Sequence, residues 1–527
     1  MILTVGACER GNGGGPSEPT PSTLSGRINA RNVVLISVDT LRADHLACYG
    51  HRFVKSPTID ALAREGVRFT QHIAAASTTL ASHTSLMTGT YPHTHGVFRN
   101  ICRVGDENVM LAEVLKAAGF ATAGFIGAFP LSPDTNFSQG FDHYDGDFGK
   151  FQRGNASGRR AQRPANEVTD AVLAWLDRRE KGGADSGNER GRLFLFVHYF
   201  DPHWPYKAPP PYERMYRTDS LTADGSMKTI AYVRNVLGRD HKNPKSSPGT
   251  VGVGQESADS GRPANAASTS NLYPKGTYAQ LSTVLKAEYG AEITFCDHHL
   301  GRLIDGLKRY DLLDSSLIIF TADHGETLDE HVDLFSHGSS VYDTEIHIPL
   351  IMRFPQGRGA GRSVSHLGSN IDVVPTILDL LALPLPDGIE GQSFAGVFDG
   401  LTPPRSPVFA EPTRPWKPIP VCADNNDKFQ CIRTLTHKYM SRIPDQQFRF
   451  YNLELDRMEQ TNLLEGGHGY DRALVNDLEK QLTVWRQDIH PIDSAAVQSQ
   501  KHIDALRALG YVGDAPDEDQ DTDGGGS

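Results

Sequence analysis

The chain has 527 residues, of which 38% are hydrophobic and 22% charged, as is typical of a globular protein with more than one domain. Its net charge of −12, with both signs scattered along the sequence, argues against nucleic acid as the main partner. None of the six cysteines forms a CxxC pair, so a zinc–thiolate site is not expected.

Short apolar runs rich in β-forming residues alternate with amphipathic segments along most of the chain. The sequence predicts strands over residues 32–38, 121–127, 193–199 and 316–321, a strand or loop over 67–76, and helices over 56–65, 108–118, 166–179, 278–312 and 371–381. This alternation predicts an open α/β sheet, and ligands of such sheets bind at the carboxyl ends of the strands.

Polar segments rich in Gly, Ser, Pro or acidic residues interrupt this pattern. Residues 240–275 are predicted to form a mobile insertion, and residues 514–527 a disordered acidic tail. We therefore expect a leader and flexible linker over 1–30, a catalytic domain over 31–400 and a smaller C-terminal subdomain over 401–513.

The N-terminus resembles the end of a bacterial lipoprotein signal, with small residues before Cys8 and a Gly/Ser/Pro stretch after it. The pattern favours an exported protein, periplasmic or anchored to the cell envelope through lipidation of Cys8, and a cytoplasmic location stays open. In an oxidising compartment Cys422 and Cys431 are close enough in sequence to form a disulfide, and two free thiols are the alternative. No run approaches the roughly 18 apolar residues of a membrane span.

Polar residues follow three of the predicted strands. Asp39, His203 and Asp323 each come just after such a strand, and His324 is next to Asp323. Because strand ends in an open α/β sheet share one edge, we expect these residues to meet there. With the hydroxyl of Thr79, they predict a metal-activated nucleophile for anionic esters.

The order and spacing of these motifs resemble the sulfatase family of the alkaline phosphatase superfamily. The resemblance covers about residues 32–513 and is based on the motifs at 32–39, 79–89, 119–123, 321–326, 371–376 and 451–463. It implies an α/β fold with an alkaline-phosphatase/sulfatase-like open mixed sheet sandwiched by helices, a smaller C-terminal α+β subdomain, and a metal-dependent ester hydrolase.

The resemblance implies that Asp39, Thr79, Asp323 and His324 hold one divalent metal ion. Family sulfatases usually carry a second acid where this chain has Thr40, and an Asn where it has His324. The loss of a carboxylate and the gain of an imidazole favour Zn or Mn over Ca, since calcium binds through six or more oxygens.

Residue 79 departs from the family pattern. Sulfatases carry Cys or Ser in a Cys-x-Pro-x-Arg motif, converted to formylglycine, whereas this chain has threonine and lacks both the Pro and the Arg. We therefore expect Thr79 to attack directly, as in the threonine-using phosphodiesterases, phosphonate hydrolases and phosphoethanolamine-type transferases that it resembles. The family's cationic Gly-Lys-x-His segment is replaced by apolar residues at 127–130, which also favours phospho- or phosphonate esters over sulfate esters.

The resemblance also implies roles for other polar residues. His203 and His337 are predicted to be catalytic, binding the non-bridging oxygens or protonating the leaving group. His83, in place of the missing Arg, and Asp201 are predicted to bind the substrate. Four further histidines have no supporting motif and are expected at the surface or in loops: His93, His95, His298 and His299.

The expected partner is a small anionic ester, free or on a glycan or lipid. Besides hydrolysis or transfer of phospho- or phosphonate esters, two alternatives stay open. One is a true sulfuric ester hydrolase. The other is a non-catalytic relative that binds an anionic glycan or a lipid head group.

Overall fold

The computed structural model describes residues 28–146, 148, 162–182, 191–217, 277–331, 334–401, 407–412, 429–443, 446–467 and 469–487. The predicted leader up to residue 27, the insertion 240–275 and the acidic tail lie outside the described residues, as do Cys8 and Cys422. Cys431 is a buried free cysteine. Among the described helices, none combines the length and the apolar composition needed to cross a membrane.

A mixed eight-stranded sheet forms the centre of the larger domain. Its strands are β1 Asn32–Val38, β2 Val67–Ile73, β3 Phe120–Phe125, β4 His143–Asp145, β5 Arg192–Tyr199, β6 Ser316–Ala322, β7 His347–Arg353 and β8 Arg362–Ser369. Their order across the sheet is β4-β3-β5-β1-β6-β7-β2-β8. All neighbours are parallel except where β7 pairs with β6 and β2, so the predicted mixed α/β sheet is confirmed.

Helices cover both faces of this sheet. They are α1 Pro57–Glu65, α2 Thr79–Thr88, α3 Pro92–His95, α4 Leu111–Ala117, α5 Ala165–Glu180, α6 Thr277–Arg309, α7 Asp343–Ile346 and α8 Val373–Leu380. Strand β1 is buried along its whole length. Its alternate residues enter two separate cores, with Val34 and Ile36 in one and Val33 and Leu35 in the other. A strand buried on both faces has no polar side, which explains the apolar run over residues 33–36.

The structure differs from the predicted elements in several places. Strands β7 and β8 and helix α2 were not predicted, because β8 is partly exposed and α2 is rich in Ser and Thr. The helix predicted from residue 108 begins at Leu111, where the Glu113 side chain accepts the backbone N–H of Met110.

The predicted surface position is wrong for three of the four unassigned histidines. His93, His95 and His299 are buried, and His298 is exposed. His95 Nε2 lies 3.0 Å from the Ser85 hydroxyl of α2. Hydrogen bonds of this kind offset the cost of burying an imidazole. The partners belong to other segments of the chain, so a local sequence pattern does not reveal them.

A smaller C-terminal unit contains a second, antiparallel sheet. Its strands are β9 Val408–Ala410, β10 Gln430–Arg433, β11 His437–Arg442 and β12 Gln447–Asn452, and helix α9 Arg472–Gln487 packs on it. Leu478 and Leu482 of α9 contact Ile432, Tyr439 and Phe450 of the sheet. The predicted α+β subdomain is thus confirmed.

Buried ion pairs join the two units. Lys438 of β11 is fully buried and lies 2.8 Å from Glu459, and it also contacts Asp343 of α7. Asp343 forms a second ion pair, with Arg433, whose Nη2 lies 2.9 Å from the Asp343 carboxylate. Because an unpaired charge at this depth is strongly unfavourable, these pairs hold β10 and β11 against the larger domain.

His93 forms a second connection between the units. Its Nδ1 lies 3.1 Å from Glu411, next to β9, and its Nε2 lies 3.7 Å from Glu390. The Trp485 ring on α9 packs nearly perpendicular to the His93 ring, with 4.6 Å between the ring centroids. Burial by itself lowers the pKa of His93, but the two glutamates outweigh it and raise this pKa to about 9. The imidazole is therefore protonated in the folded protein at neutral pH.

We expect this contact to make stability depend on pH. The pKa in the folded state, about 9, exceeds the ordinary value of 6.5, so protonated His93 stabilises the fold fully below about pH 6.5. That contribution declines as pH rises and is lost through about pH 9. Thermal unfolding of the wild type and of His93→Gln between pH 6 and 9.5 measures it. The two midpoints should differ most at pH 6 and converge by pH 9.5, and a constant difference would contradict this assignment.

Candidate active site

The carboxyl ends of β1 and β6 bring two acids together. Asp39 follows β1 and Asp323 follows β6, its neighbour in the sheet, and both side chains are fully buried. The backbone N–H of Asp39 donates to the carbonyl of Tyr199 at 2.9 Å, and that of Thr40 donates to Asp323 Oδ1 at 3.2 Å. Backbone hydrogen bonds from the sheet edge therefore set the position of both acids.

His324 completes a compact group with these acids. Its Nε2 lies 3.7 Å from Asp39 Oδ1 and 3.3 Å from Asp323 Oδ2. Its Nδ1 lies 2.8 Å from the carbonyl of Gly325, which can only accept, so Nδ1 carries the proton. Burial lowers the pKa of His324 well below its usual range, and the neutral ring presents an Nε2 lone pair to the two carboxylates.

This group fits a divalent cation. Both oxygens of Asp39, Asp323 Oδ2, His324 Nε2 and Thr79 Oγ1 are buried and make no hydrogen bond within the described part of the chain. Potential ligand atoms of the two acids and the histidine lie within 4.8 Å of one another. Buried polar atoms are normally hydrogen-bonded, and carboxylate oxygens with an imidazole lone pair are a set that a cation satisfies.

Electrostatics support the same interpretation. Burial raises the pKa of Asp39 well above its usual range, and the charges of Asp323 and Glu326 raise it further. Burial likewise raises the pKa of Asp323. Two acids so placed resist ionisation together, and a positive ion between them removes that penalty.

Thr79 is held beside this group at the start of α2. It is the first residue of the helix, after the N-cap residue Thr78. The Asn100 side chain accepts the backbone N–H of Leu80 at 2.9 Å, and the Ser82 hydroxyl donates to the carbonyl of Asp323 at 2.6 Å. The Thr79 side chain faces the Asp39 carboxylate and counteracts its raised pKa, while the hydroxyl lies outside hydrogen-bonding geometry.

Three histidines, His324, His337 and His203, lie in a row. The ring centroid of His337 is 4.6 Å from that of His324 and 4.9 Å from that of His203. His337 Nδ1 is 3.0 Å from Glu326 Oε1, and the Tyr206 hydroxyl donates to the other oxygen of Glu326. The structure thus brings the two predicted catalytic histidines together, and their roles stay predictions.

The two residues predicted to bind substrate have protein partners instead. His83 is fully buried, with Nε2 2.9 Å from the Ser37 hydroxyl and Nδ1 2.8 Å from the Thr79 carbonyl. Burial lowers its pKa to about 4. Asp201 accepts the backbone N–H of Ala165 at 2.7 Å, at the start of α5, and burial raises its pKa to about 7. No contact with a substrate follows from these positions, and both roles stay predictions.

Sequence reasoning did not select two residues that the structure brings to the site. His198 of β5 is fully buried, with Nε2 3.8 Å from Asp39 Oδ2. The available signal was a histidine within an otherwise apolar strand. Glu326 lies in the same motif as Asp323 and His324, but its partner His337 is eleven residues away.

The fold is thus an α/β protein with a buried acid–histidine group at the strand ends of a mixed sheet, and comparison with known proteins gives the family. Residues 31–383 match the family described as Sulfatase, and residues 334–488 match the one described as N-sulphoglucosamine sulphohydrolase, C-terminal. The first match covers more than half of the chain. The protein belongs to the sulfatase family and is an ester hydrolase, as the motifs predicted.

Individual relatives are distant. The N-acetylglucosamine-6-O-sulfatase of Bacteroides thetaiotaomicron is 23% identical, with 71% of this chain and 72% of the relative covered. The multifunctional alkaline phosphatase superfamily protein PehA of Trinickia caryophylli is 28% identical, with 69% and 76% covered. Among solved structures, the phosphonate monoester hydrolase of Agrobacterium radiobacter has a TM-score of 0.64 at 24% identity, with 87% and 96% covered. At that identity the likeness shows the fold alone.

The Glu326–His337 pair leads to a prediction about the leaving group. We expect Glu326→Gln to lower kcat by about 100-fold, the lower end of what general acid catalysis contributes, for esters with a poorly leaving alkyl alcohol. For a nitrophenyl ester, which needs no proton, the loss should be much smaller. Steady-state kinetics on the two esters tests this.

Glu330→Gln is the matched control, because Glu330 is an acid four residues along the chain whose side chain accepts from Arg42 at 2.8 Å. It should leave both rates near those of the wild type. Equal losses on the alkyl and nitrophenyl esters in Glu326→Gln would show that the carboxylate does not act through proton transfer.

Proposed function

We propose that this protein is a metal-dependent hydrolase in which Thr79 Oγ1 is the nucleophile, with phospho- and phosphonate esters preferred over sulfate esters. The observation that carries the proposal is the Thr79 hydroxyl, which is fully buried beside Asp39 and makes no hydrogen bond to any described residue. A buried hydroxyl without a partner costs free energy unless something else binds it. At a helix N-terminus, an anion is favoured in addition.

Asp39, Thr79, Asp323 and His324 would hold the metal ion. A divalent ion bound there lowers the pKa of a coordinated hydroxyl and neutralises negative charge on a phosphoryl or sulfuryl group. The nitrogen ligand from His324 and the absence of a carboxylate at Thr40 support zinc or manganese over calcium.

The chain's own residues supply the remaining chemistry. The Thr79 hydroxyl first loses its proton to solvent, and in the first step the resulting Thr79 alkoxide bonds to the phosphorus or sulfur while the bond to the ester oxygen breaks. His337 or His203 protonates that departing oxygen, and Glu326 holds the proton-bearing Nδ1 of His337. In the second step, water attacks the Thr79 ester, the histidine takes the proton of that water, and the bond to Thr79 Oγ1 breaks to give back the alkoxide that began the cycle.

A sulfate ester is the second candidate substrate. The family match and relatives named as sulfatases favour it, including the arylsulfatase of Clostridium perfringens at 23% identity. Threonine at position 79 argues against a sulfate ester, because a threonine cannot be converted to formylglycine. Two structural neighbours are the phosphonate monoester hydrolases of Agrobacterium radiobacter and Silicibacter pomeroyi, which supports the phosphonate proposal.

The ester group is proposed to lie on a glycan or a lipid. Two relatives are named for glycan substrates, N-acetylglucosamine-6-O-sulfatase and ulvan-active sulfatase. We also propose that the protein is exported and lipidated at Cys8. The proposed domain boundaries are 31–400 for the catalytic domain and 401–513 for the C-terminal subdomain. The start of the second sheet at Val408 agrees with the boundary near residue 400.

Substitution of Thr79 tests the nucleophile. We expect Thr79→Ala to lower kcat by about 1000-fold or more, because the attacking oxygen is gone. Thr79→Ser keeps the hydroxyl and should retain far more activity. Acid-quenched wild-type protein should show a covalent adduct on residue 79 by mass spectrometry. Full activity in Thr79→Ala would refute the mechanism.

A substrate and metal panel tests the ester preference. Metal-free protein is reconstituted with Zn, Mn or Ca, and each form is assayed on an aryl sulfate, a phosphate monoester, a phosphate diester and a phosphonate monoester. We expect Zn or Mn to restore most activity, with kcat/KM highest for the diester or the phosphonate. A higher kcat/KM for the sulfate would establish the second candidate. No turnover of any ester would favour a binding role.

A further inference from the structure

We infer that His198 and His83 are positioning residues that each direct one N–H at a carboxylate of the metal site, His198 at Asp39 and His83 at Asp323. The inference rests on the metal site of the proposed function. It does not depend on Thr79 as nucleophile or on the kind of ester. His198 lies on β5, and His83 lies on α2.

The backbone determines which nitrogen of His198 carries the proton. The N–H of Gly127 points at His198 Nδ1 at 3.4 Å, so Nδ1 accepts and Nε2 is protonated in the neutral ring. That Nε2 lies 3.8 Å from Asp39 Oδ2, and neither atom has a hydrogen-bond partner among the described residues. A movement of about 0.6 Å would bring the two atoms within hydrogen-bonding distance.

Gly127 makes this arrangement possible. A Cβ at this position would lie 2.8 Å from the backbone nitrogen of Phe200 and 3.1 Å from the carbonyl of His198. Only glycine lets the strand ends approach so closely that a backbone N–H reaches the His198 ring. The segment where the family has cationic residues thus serves to orient a histidine in this chain.

The tautomer of His83 follows from the same reasoning. Its Nδ1 faces the carbonyl of Thr79 at 2.8 Å, and a carbonyl cannot donate, so Nδ1 carries the proton. Its Nε2 accepts from the Ser37 hydroxyl. The protonated Nδ1 also lies 3.5 Å from Asp323 Oδ2. Each site carboxylate thus faces one buried N–H of a neutral imidazole.

The orientation of each carboxylate determines which of its oxygens faces the cation. Asp39 Oδ2 is directed to His198, which leaves Oδ1 for the cation with His324. Asp323 Oδ1 is held by two backbone N–H groups, and the N–H of His83 lies 3.5 Å from its Oδ2. Loss of a partner that orients a metal ligand typically weakens metal binding by about 10- to 100-fold.

A second cation at His83, His198 and Asp323 is the competing interpretation. Potential ligand atoms of these residues lie within 4.8 Å of one another. However, His83 Nδ1 carries a proton and Nε2 is already an acceptor, so neither nitrogen offers a lone pair to a cation. Metal stoichiometry distinguishes the two interpretations.

Paired Asn and Gln substitutions test the inference, because an Asn amide occupies the place of imidazole Nδ1 and a Gln amide reaches that of Nε2. At position 198, His198→Gln should keep the donor to Asp39, and His198→Asn should weaken metal binding 10- to 100-fold. At position 83 the order should reverse, with His83→Asn near the wild type and His83→Gln weakened. Zinc and manganese affinities of the full chain are measured by chelator competition, and thermal unfolding of the metal-free variants checks folding.

The reversed order at the two positions would support orientation through specific nitrogens. The same order at both, or unchanged affinity in all four variants, would overturn it, since cavity size alone would then explain the data. A second bound cation that disappears in any of these variants would also overturn it. Wild-type protein that binds no cation would refute both this inference and the metal site. A failed Thr79 test with the reversed order intact would refute only the proposed reaction.

Discussion

Two buried carboxylates held next to each other are the constraint on which this site depends. Asp39 and Asp323 follow neighbouring parallel strands, so the pairing of β1 with β6 forces their side chains together. Burial and mutual repulsion make this costly for two negative charges. The sheet maintains the arrangement because both strands are buried on both faces, and the site becomes favourable when a cation lies between the acids.

The groups around the acids follow from that constraint. Backbone N–H groups of Thr40 and His324 hold one oxygen of Asp323, and Ser82 ties the start of α2 to the end of β6. Thr79 therefore has its place because the helix and the strand are joined there. Neutral, buried histidines suit this environment, since a protonated imidazole would itself be a buried charge.

Fold and reaction are separate matters in this protein. The family match and the structural neighbours agree on the scaffold, and proteins similar to this chain are named both as sulfatases and as phosphonate monoester hydrolases. In the proposed mechanism the reaction depends on few atoms, and residue 79 contributes one of them. A threonine retains an oxygen nucleophile but not the aldehyde chemistry of formylglycine, so the departure at that position bears on the reaction and leaves the sheet unaffected.

The sequence by itself determined the fold class, the positions of the main parallel strands along the chain, and the family. Buried parallel strands leave apolar runs such as residues 33–36, and strand-end acids lie close to those runs, so local pattern was enough. Strands β7 and β8 were not predicted, because strand pairing, and not local composition, decides whether a short or partly polar segment joins a sheet.

Only the tertiary structure decided which polar residues share the site and in which role. His198 acquires its partner from β1 and its tautomer from Gly127, and His337 acquires Glu326 across a loop. His93 and His95 are buried because the C-terminal unit and α2 supply their partners. These contacts join residues far apart in the chain, and the protonation of an imidazole depends on the atoms that face it, which a linear pattern does not contain.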